Sequence, residues 1–355
     1  MDFGLSEDQE LFVDALRGYL AEHVPVTRVR DIMESDLGAD RALFAQLAGQ
    51  GVTGILVPAE HGGTELGLLE AAVAAQLLGE AAVPVSFHSA CVMAPLAILF
   101  AGNDALSQQW LGPVAAGEAI LSYVTDGVTA DDDSLSGRAL FVPDTQLADA
   151  FVFRARTGSG SSLHVVPRDA PGLTIETLDT VDTTRRVGEL VLDGVQAERV
   201  ELSDAAFDRV EDAGCIALAA DALGAADHAL EIAIKYSLER KQFERVIGSF
   251  QAVKHMCAET AAEVEPLRSL MWYTAFAWDE QREDSRAMAA LLKAHATEIA
   301  TTATTTCVQV FGGMGFTWEC DVHLWFKRAG YDRQMLGGPA ALRERAAAAF
   351  LQQPA

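Results

Sequence analysis

Residues 240–251 form the first part of the sequence whose side chains suit the binding of a small anion, and they read RKQFERVIGSFQ. Arg240 presents a planar guanidinium that can hold two phosphate oxygens at once. Phe243 adds an aromatic face, and Gln251 adds an amide that both donates and accepts hydrogen bonds. An isolated arginine is more often one half of a surface ion pair, so the segment alone leaves both interpretations open.

A second segment, residues 309–316, reads QVFGGMGF. Gly312, Gly313 and Gly315 lack side chains, so backbone N–H groups at these positions can come close to a phosphate oxygen. Gln309 adds an amide at the start of the segment. Two adjacent glycines are also typical of the end of a helix, so this segment alone leaves both a phosphate site and a helix end open as interpretations.

The N-terminal third of the chain has the sequence pattern of helices. Ser6 and Gln9 form a possible capping box at the start of the stretch to His23, in which apolar residues recur at helical spacing. Similar apolar faces, separated by prolines and glycines, occur at 41–50, 66–80, 89–101 and 105–117. We therefore expect an all-helical N-terminal domain over residues 1–120.

The pattern changes to short, alternating, β-branched runs over residues 121–203, which predicts a small β domain. Examples of these runs are 150–153, 163–166 and 189–192. The glycine- and serine-rich residues 158–161 are interpreted as a flexible hairpin connection. They do not suit a phosphate cradle, because no helix start follows them.

From residue 204 to residue 355 the sequence again favours helices. The predicted helices are 206–239, 249–282, 285–310 and 339–351. They should pack as an antiparallel four-helix bundle. The threonine-rich residues 301–306 have low helix propensity, so their small side chains are expected to serve close packing, for example at a subunit contact.

The composition disfavours several functional classes. The formal charge of −25 opposes binding to nucleic acid, because such proteins place Lys and Arg against phosphates. No run reaches the ~18 apolar residues that a membrane span needs, so a soluble, cytoplasmic protein without a membrane partner is expected. The five cysteines form no C-x-x-C pair, and the histidines have no second ligand at metal-like spacing, so no metal site is expected.

The order of helices, β domain and helical bundle resembles the acyl-CoA dehydrogenases over nearly the whole chain. Residues 54–63, GILVPAEHGG, look like the N-terminal turn of that family, and the segments 240–251 and 309–316 look like its "R-x-x-F…Q" and "Q-x-x-G-G-x-G" motifs. The resemblance implies a mainly α fold with an N-terminal helical domain, a small central β-barrel and a C-terminal four-helix bundle.

The resemblance also implies FAD as the cofactor. In family members the two motifs hold the ADP half of an FAD whose flavin ring lies in the neighbouring subunit. Arg240 would bind the pyrophosphate, Phe243 would pack on the cofactor, and Gln251 would hydrogen-bond the adenosine end. The cofactor-binding residues expected from this match are Arg240, Phe243, Gln251, Gln309, Gly312, Gly313 and Gly315.

The sequence departs from the family at the catalytic base. Dehydrogenation removes an α-proton while a hydride leaves the β-carbon for flavin N5, so the family places a glutamate at the α-carbon. Counting from Gln309 places the usual glutamate position at Leu336. The alternative glutamate position of some members, with the arginine that follows it, falls on Gly214 and Cys215. No catalytic residue is therefore assigned to this chain.

A third departure lies in the β domain, where the family has "T-E-P-x-x-G-S-D" and later "W-I-T" beside the flavin ring. Here Thr125-Asp126 is followed by a shortened loop. The expected tryptophan is replaced by Phe141, and the threonine by Pro143, which has neither a hydroxyl nor an N–H group. The ring end of an FAD site is thus expected to be incomplete.

This pattern of loss most resembles the small subunits of heterotetrameric α2β2 acyl-CoA dehydrogenases, known from actinobacterial steroid degradation. The expected partners are an acyl-CoA thioester, a larger subunit that carries the glutamate, and an electron-transfer flavoprotein as acceptor. Two alternatives stay open. One is a self-sufficient homotetramer with an unplaced base such as Glu319. The other is a non-redox member that binds CoA esters or is purely structural.

Overall fold

Helices make up most of residues 4–351, the part of the chain that the computed structural model describes. The α-helices are α1 Glu7–His23, α2 Val26–Met33, α3 Arg41–Ala48, α4 Leu68–Glu80, α5 Ala94–Ala101, α6 Asp104–Ala115, α7 Asp204–Glu239, α8 Gln251–Asp279, α9 Ser285–Phe311, α10 Val322–Gln334 and α11 Pro339–Leu351. The strands are β1 Leu121–Val124, β2 Val128–Asp131, β3 Ser134–Pro143, β4 Ala150–Thr157, β5 Gly160–Pro167, β6 Leu173–Leu178, β7 Val187–Gln196, β8 Lys241–Gln242 and β9 Arg245–Val246. A π-helical turn, His88–Met93, precedes α5.

The chain divides into two compact units. The helical unit comprises the described residues up to Arg30, residues 72–83 and those from Cys215 onward. The sheet unit comprises Asp31–Ala71 and Pro84–Gly214. The division predicted from the sequence, into residues 1–120, 121–203 and 204–355, follows the order of helices and strands and stays a prediction.

The sheet unit is built on a seven-stranded mixed sheet with the strand order β1-β4-β2-β3-β7-β6, in which β5 also pairs with β4. β4 pairs in parallel with β1 and β2, and the remaining ladders are antiparallel. Among the described residues both ends of the strand path are open. The predicted hairpin is confirmed, since Thr157 pairs with Gly160 across the Gly158-Ser159 connection. Phe151 and Phe153 are fully buried in the sheet core.

In the helical unit α9 packs against α8, α10 and α11. Threonine hydroxyls in α9 form hydrogen bonds within the helix itself. Each donates to the backbone carbonyl four residues earlier, as seen at Thr297, Thr301, Thr304 and Thr305. The helix can therefore bury small side chains against its neighbours without an unpaired hydroxyl. The mainly α fold with a central sheet is confirmed, although α2 and α10 were not predicted.

Buried polar contacts join distant segments of the helical unit. Arg328 is fully buried, and its guanidinium lies 3.3 Å from both carboxylate oxygens of Asp221. The same guanidinium donates to the carbonyls of Ala82 and Val83 at 3.2 Å. Each charge has a partner, so removing either one would leave a buried charge uncompensated.

By length and composition α7 is apolar enough to cross a membrane. Most of its apolar window is buried inside the protein, as in the core helix of a bundle. That burial accounts for its apolar character without a membrane.

Candidate functional site

Residues 240–251 fold into a tight β-hairpin followed by the start of α8. Strands β8 and β9 pair antiparallel, and Phe243 and Glu244 form the turn between them with φ of 51° and 64°. A turn with positive φ at both central residues usually contains Asn or Gly, because side chains disfavour this backbone conformation. Strain held at an exposed turn is typical of a functional position. The turn presents the Phe243 ring to solvent, with 86% of the residue exposed.

Arg240 ends α7 and begins this hairpin. Its N–H donates to the Tyr236 carbonyl at 2.8 Å, and its carbonyl accepts from the N–H of Ile247 at 2.8 Å. The backbone is thus fixed, whereas the exposed guanidinium makes no ion pair with any residue of 4–351. The simpler interpretation of Arg240, as half of an intrachain surface ion pair, is not supported.

Gln251 is the first residue of α8, and its exposed amide nitrogen lies 3.3 Å from a ring nitrogen of His255. The residue before it, Phe250, is held between neighbours. The Arg245 guanidinium lies 4.0 Å from the Phe250 ring centroid, and the Phe243 ring meets it edge-on at 6.1 Å. Phe243 and Phe250 therefore lie on the same side of the hairpin.

The second segment is a one-turn 3₁₀-helix, Gly312–Phe316, after the end of α9. Gly312 has φ 66° and ψ −148°, a region that glycine alone adopts readily, and it caps α9. A Cβ added at Gly312 or Gly313 would meet nothing within 4 Å, so their backbone is open. At Gly315 a Cβ would lie 2.8 Å from the Val308 carbonyl. Gly312 and Gly313 thus leave their backbone accessible, whereas Gly315 allows the turn to pack closely on α9.

Tyr236 joins the two segments. Its carbonyl accepts the N–H of Arg240, and its ring stacks on Phe311 with centroids 4.3 Å apart and an interplanar angle of 19°. Phe311 immediately precedes Gly312. The sequence analysis missed Tyr236, because nothing in the one-dimensional pattern separates it from other exposed positions of a long helix.

Two of the family positions located in the sequence come together in the helical unit: Leu336, at the usual glutamate position, and Cys215, at the position of the arginine that follows the alternative glutamate. Cys215, on α7, is fully buried in an apolar cluster whose other buried members are Ala290, Ala294, Leu342 and Ala346. Leu336 packs against the same cluster. The members of this cluster carry no carboxylate. The Arg345 guanidinium lies 3.8 Å from the Cys215 sulfur.

The turn that contains Leu336 is held by a buried lysine. Leu336 has φ 54° and Gly337 has φ 100°. Lys293, fully buried on α9, donates to the Gly337 carbonyl at 3.0 Å and lies 3.5 Å from the Arg333 carbonyl. Burial lowers the pKa of Lys293, since the charged form loses its hydration. Leu336 is therefore fixed by packing and by hydrogen bonds to the backbone beside it.

In the sheet unit the positions expected beside a flavin ring lie at an irregularity of β3. The register of β3 against β7 shifts between Ala139 and Val142, which indicates a β-bulge. Phe141, inside the bulge, has φ 56° and is 56% exposed. Pro143 ends the strand opposite Val187. β1 and β2 are joined by the short connection 125–127.

Comparison with known proteins decides the family. Residues 6–118 match the acyl-CoA dehydrogenase N-terminal domain, and residues 212–351 match the C-terminal domain. Acyl-CoA dehydrogenase IpdE2 of Mycolicibacterium smegmatis is 30% identical over 336 residues, which cover 94% of this chain and 96% of that protein. The chain belongs to the acyl-CoA dehydrogenase family.

Solved structures of this family have the same fold. The steroid acyl-CoA dehydrogenase Tcur3481-Tcur3483, as a G363A variant, is 28% identical with a TM-score of 0.89 and covers 98% of both chains. The ChsE4-ChsE5 complex of Mycobacterium tuberculosis is 26% identical with a TM-score of 0.92 and covers 100% of both chains. Both are complexes of two differently named proteins.

Proposed function

We propose that the chain is one subunit of a heterotetrameric, FAD-dependent acyl-CoA dehydrogenase. It lends the ADP-binding half of the FAD site to a larger subunit, which supplies the glutamate. The substrate is an acyl-CoA thioester, and an electron-transfer flavoprotein in the cytoplasm accepts the electrons. Each of the two similar solved structures is named for two proteins, which favours two different chains, and the first of them is a steroid acyl-CoA dehydrogenase, which favours a steroid-type acyl group.

The observation that carries this proposal is the packing of Cys215 and Leu336. Leu336, at the usual glutamate position, and Cys215, at the position of the arginine that follows the alternative glutamate, both contact one apolar cluster. A general base must lie within hydrogen-bond reach of the proton that it removes, and neither Leu336 nor Gly214, at the alternative glutamate position, has a side chain that can accept a proton. The missing base is therefore expected from another chain.

The residues expected to hold the cofactor fit it. An FAD pyrophosphate needs cationic and N–H donors that nothing else occupies. Arg240 has an exposed guanidinium that makes no ion pair within the described residues 4–351, and the backbone of Gly312 and Gly313 is open. Phe243 offers an exposed ring for packing, and Gln251 and Gln309 offer exposed amides.

When bound, FAD accepts the hydride that leaves the β-carbon of the acyl group. The residues of this chain have a different task in the reaction. Arg240 neutralises phosphate charge, the glycine turn donates backbone hydrogen bonds, and the two glutamines orient the nucleotide end. Firm anchoring of the ADP half fixes the position of the whole cofactor, which proton and hydride transfer require.

The test is expression of this chain alone and together with a longer family member that carries an intact glutamate. The lone chain should be poorly soluble or bind little FAD, because an exposed subunit interface favours aggregation. The purified complex should show the visible absorbance of bound flavin and should oxidise an acyl-CoA. As a control, changing the partner's glutamate to glutamine should retain FAD and abolish turnover.

Two results would contradict the proposal. Stoichiometric flavin and turnover by the lone chain would favour the homotetramer, with an unplaced base such as Glu319. A complex that binds a CoA ester but no flavin would favour a non-redox member of the family.

A further inference from the structure

The helical unit contains a cavity of about 660 Å³ that borders the glycine turn but is lined by none of the seven residues expected to hold FAD. Its walls come from α1, the end of α4, α7, α10 and the turn after α9. The volume lies within the range of about 300–1,000 Å³ that is typical of small-molecule sites.

The deep wall of the cavity is apolar and fixed. Leu20, Leu77, Val322 and Trp325 line it, and each is at most 3% exposed. The indole N–H of Trp325 donates to the carbonyls of residues 79 and 80 at 3.2 and 3.0 Å, which fixes the ring. This wall suits a hydrocarbon group, because its hydrogen-bonding atoms are already satisfied.

Three charged residues that line the cavity, Arg17, Glu80 and Asp321, are each paired with an opposite charge. The Arg17 guanidinium makes two hydrogen bonds of 3.2 Å to the carboxylate of Glu80. Asp321 accepts from Arg30 at 2.6 Å. Neither pair leaves a charge to recognise a ligand.

Two further carboxylates that line the cavity make no ion pair with a lysine or arginine among residues 4–351. Within the same residues the ionic neighbour of Glu231 is His228, 3.8 Å away, and burial lowers the pKa of that imidazole, which favours its neutral form. Glu319 is exposed and makes no ion pair within residues 4–351. His228 also stacks on Trp325 with centroids 4.4 Å apart, which adds an aromatic surface beside these acids.

We infer that this cavity binds a small amphipathic amine, with its hydrocarbon part on the Trp325 wall and its ammonium group facing Glu231 and Glu319. Carboxylates and aromatic rings both attract an ammonium group, and the apolar wall accommodates its carbon chain. An acyl-CoA or a fatty acid would bring negative charge towards the same carboxylates and is disfavoured. The inference stands independently of the proposed function.

The binding test uses three probes of one shape: 4-phenylbutylamine, neutral 4-phenylbutanol and anionic 4-phenylbutyrate. Each is titrated into the purified full chain, alone and in complex with its larger subunit, by isothermal calorimetry and Trp fluorescence. The amine should bind at least about fivefold more tightly than the alcohol, and added salt should reduce the difference. The acid should bind most weakly.

Variants locate the binding. Glu231→Gln and Glu319→Gln should each weaken the amine about two- to fivefold and leave the alcohol unchanged. Ala21→Trp should block all the probes, because Ala21 is an exposed residue of α1 that lines the cavity, so the change fills space without disturbing the core. The matched control is Glu22→Trp, on the same helix but outside the cavity, which should leave binding unchanged.

Three results would overturn the inference. They are equal affinity for the amine and the alcohol, amine binding that survives Ala21→Trp, and no amine binding at all. Amine binding by the lone chain that is lost in the complex would also overturn it, because the cavity would then be a subunit contact.

Discussion

The two candidate functional regions of the helical unit contrast in chemistry. Residues 240–251 and 309–315 hold polar, exposed groups on strained turns, whereas Cys215 and Leu336 lie in a packed apolar cluster. Both regions were assigned from the sequence to parts of an FAD and substrate site. The contrast is what the proposed function requires, because a chain that lends one half of a shared site keeps that half and can lose the other.

The largest effect is expected for Leu336→Glu. A carboxylate added against the apolar cluster loses hydration, so the free energy of unfolding should fall by about 2–4 kcal/mol. The change should not create dehydrogenase activity in the lone chain. Urea unfolding and acyl-CoA turnover measure the two outcomes.

The control for this change is Leu336→Met, which keeps the volume and should cost less than about 1.5 kcal/mol. Measurable turnover by the lone Leu336→Glu chain would show that the glutamate was its only missing part.

The next effect concerns the exposed region. In the complex with the larger subunit, Arg240→Ala should weaken FAD binding by about 1.5–3 kcal/mol, because a charge-assisted contact to phosphate is lost. Arg240→Lys should have an intermediate effect, since lysine keeps the positive charge but lacks the planar guanidinium that can hold two phosphate oxygens at once. Lys241→Ala, at the neighbouring exposed residue, is the control. FAD titration of the apo complex gives the affinities, and an unchanged value for Arg240→Ala would remove this residue from the site.

Asp227 is a natural example of how burial in the helical unit changes the pKa of a carboxylate. Burial raises the pKa of Asp227 from 3.8 to about 6, although the Arg268 guanidinium donates to it at 3.0 Å. The folded state therefore binds more protons than the unfolded state between about pH 4 and 6, so stability falls as pH rises through this window. The loss should be about 3 kcal/mol, and it stays constant above the window.

Asp227→Asn should remove this pH dependence while keeping the side-chain shape. Comparing urea unfolding of the two proteins from pH 4 to pH 7 isolates the effect of this one residue. Parallel curves for the two proteins would contradict the raised pKa and would weaken the comparison with Leu336→Glu.

The smallest effect separates two neighbouring glycines. Gly312→Ala should reduce the free energy of unfolding by about 1–2 kcal/mol, because φ 66° with ψ −148° is strained for alanine. Gly313→Ala meets no neighbour and has no positive φ, so its stability should be nearly unchanged. If Gly313 donates to phosphate, its alanine variant should still weaken FAD binding in the complex. Thermal unfolding and FAD titration of both variants distinguish strain from cofactor contact.

The sequence predicted the order of helices and strands because its local signals were strong. The capping box is present, with the Ser6 N–H donating to Gln9 Oε1 at 2.8 Å and the Gln9 N–H donating to Ser6 Oγ at 3.3 Å. α2 was missed because four of its eight residues are β-branched and have low helix propensity, and α10 because Gly330 interrupts its pattern. The β8–β9 hairpin was missed because Phe243-Glu244 lacks the residues that usually signal such a turn.

The candidate site was predictable only as separate segments. The motif at residues 240–251 and the glycine turn were located from the sequence, and their cofactor contacts stay predictions. The stacking of Tyr236 on Phe311 and the shared packing of Cys215 and Leu336 depend on tertiary structure. No local pattern encodes contacts between residues so far apart in the chain.

The distant partners of Arg328 have a consequence for synthesis of the protein. This guanidinium bonds to the Val83 carbonyl across 245 residues of sequence, and the carbonyls of residues 79 and 80 accept from Trp325 over similar separations. At about 5–20 residues per second, a ribosome needs roughly 12–50 s to make that intervening length. During this interval the nascent end of α4 exposes apolar surface, which makes it a natural client for chaperones.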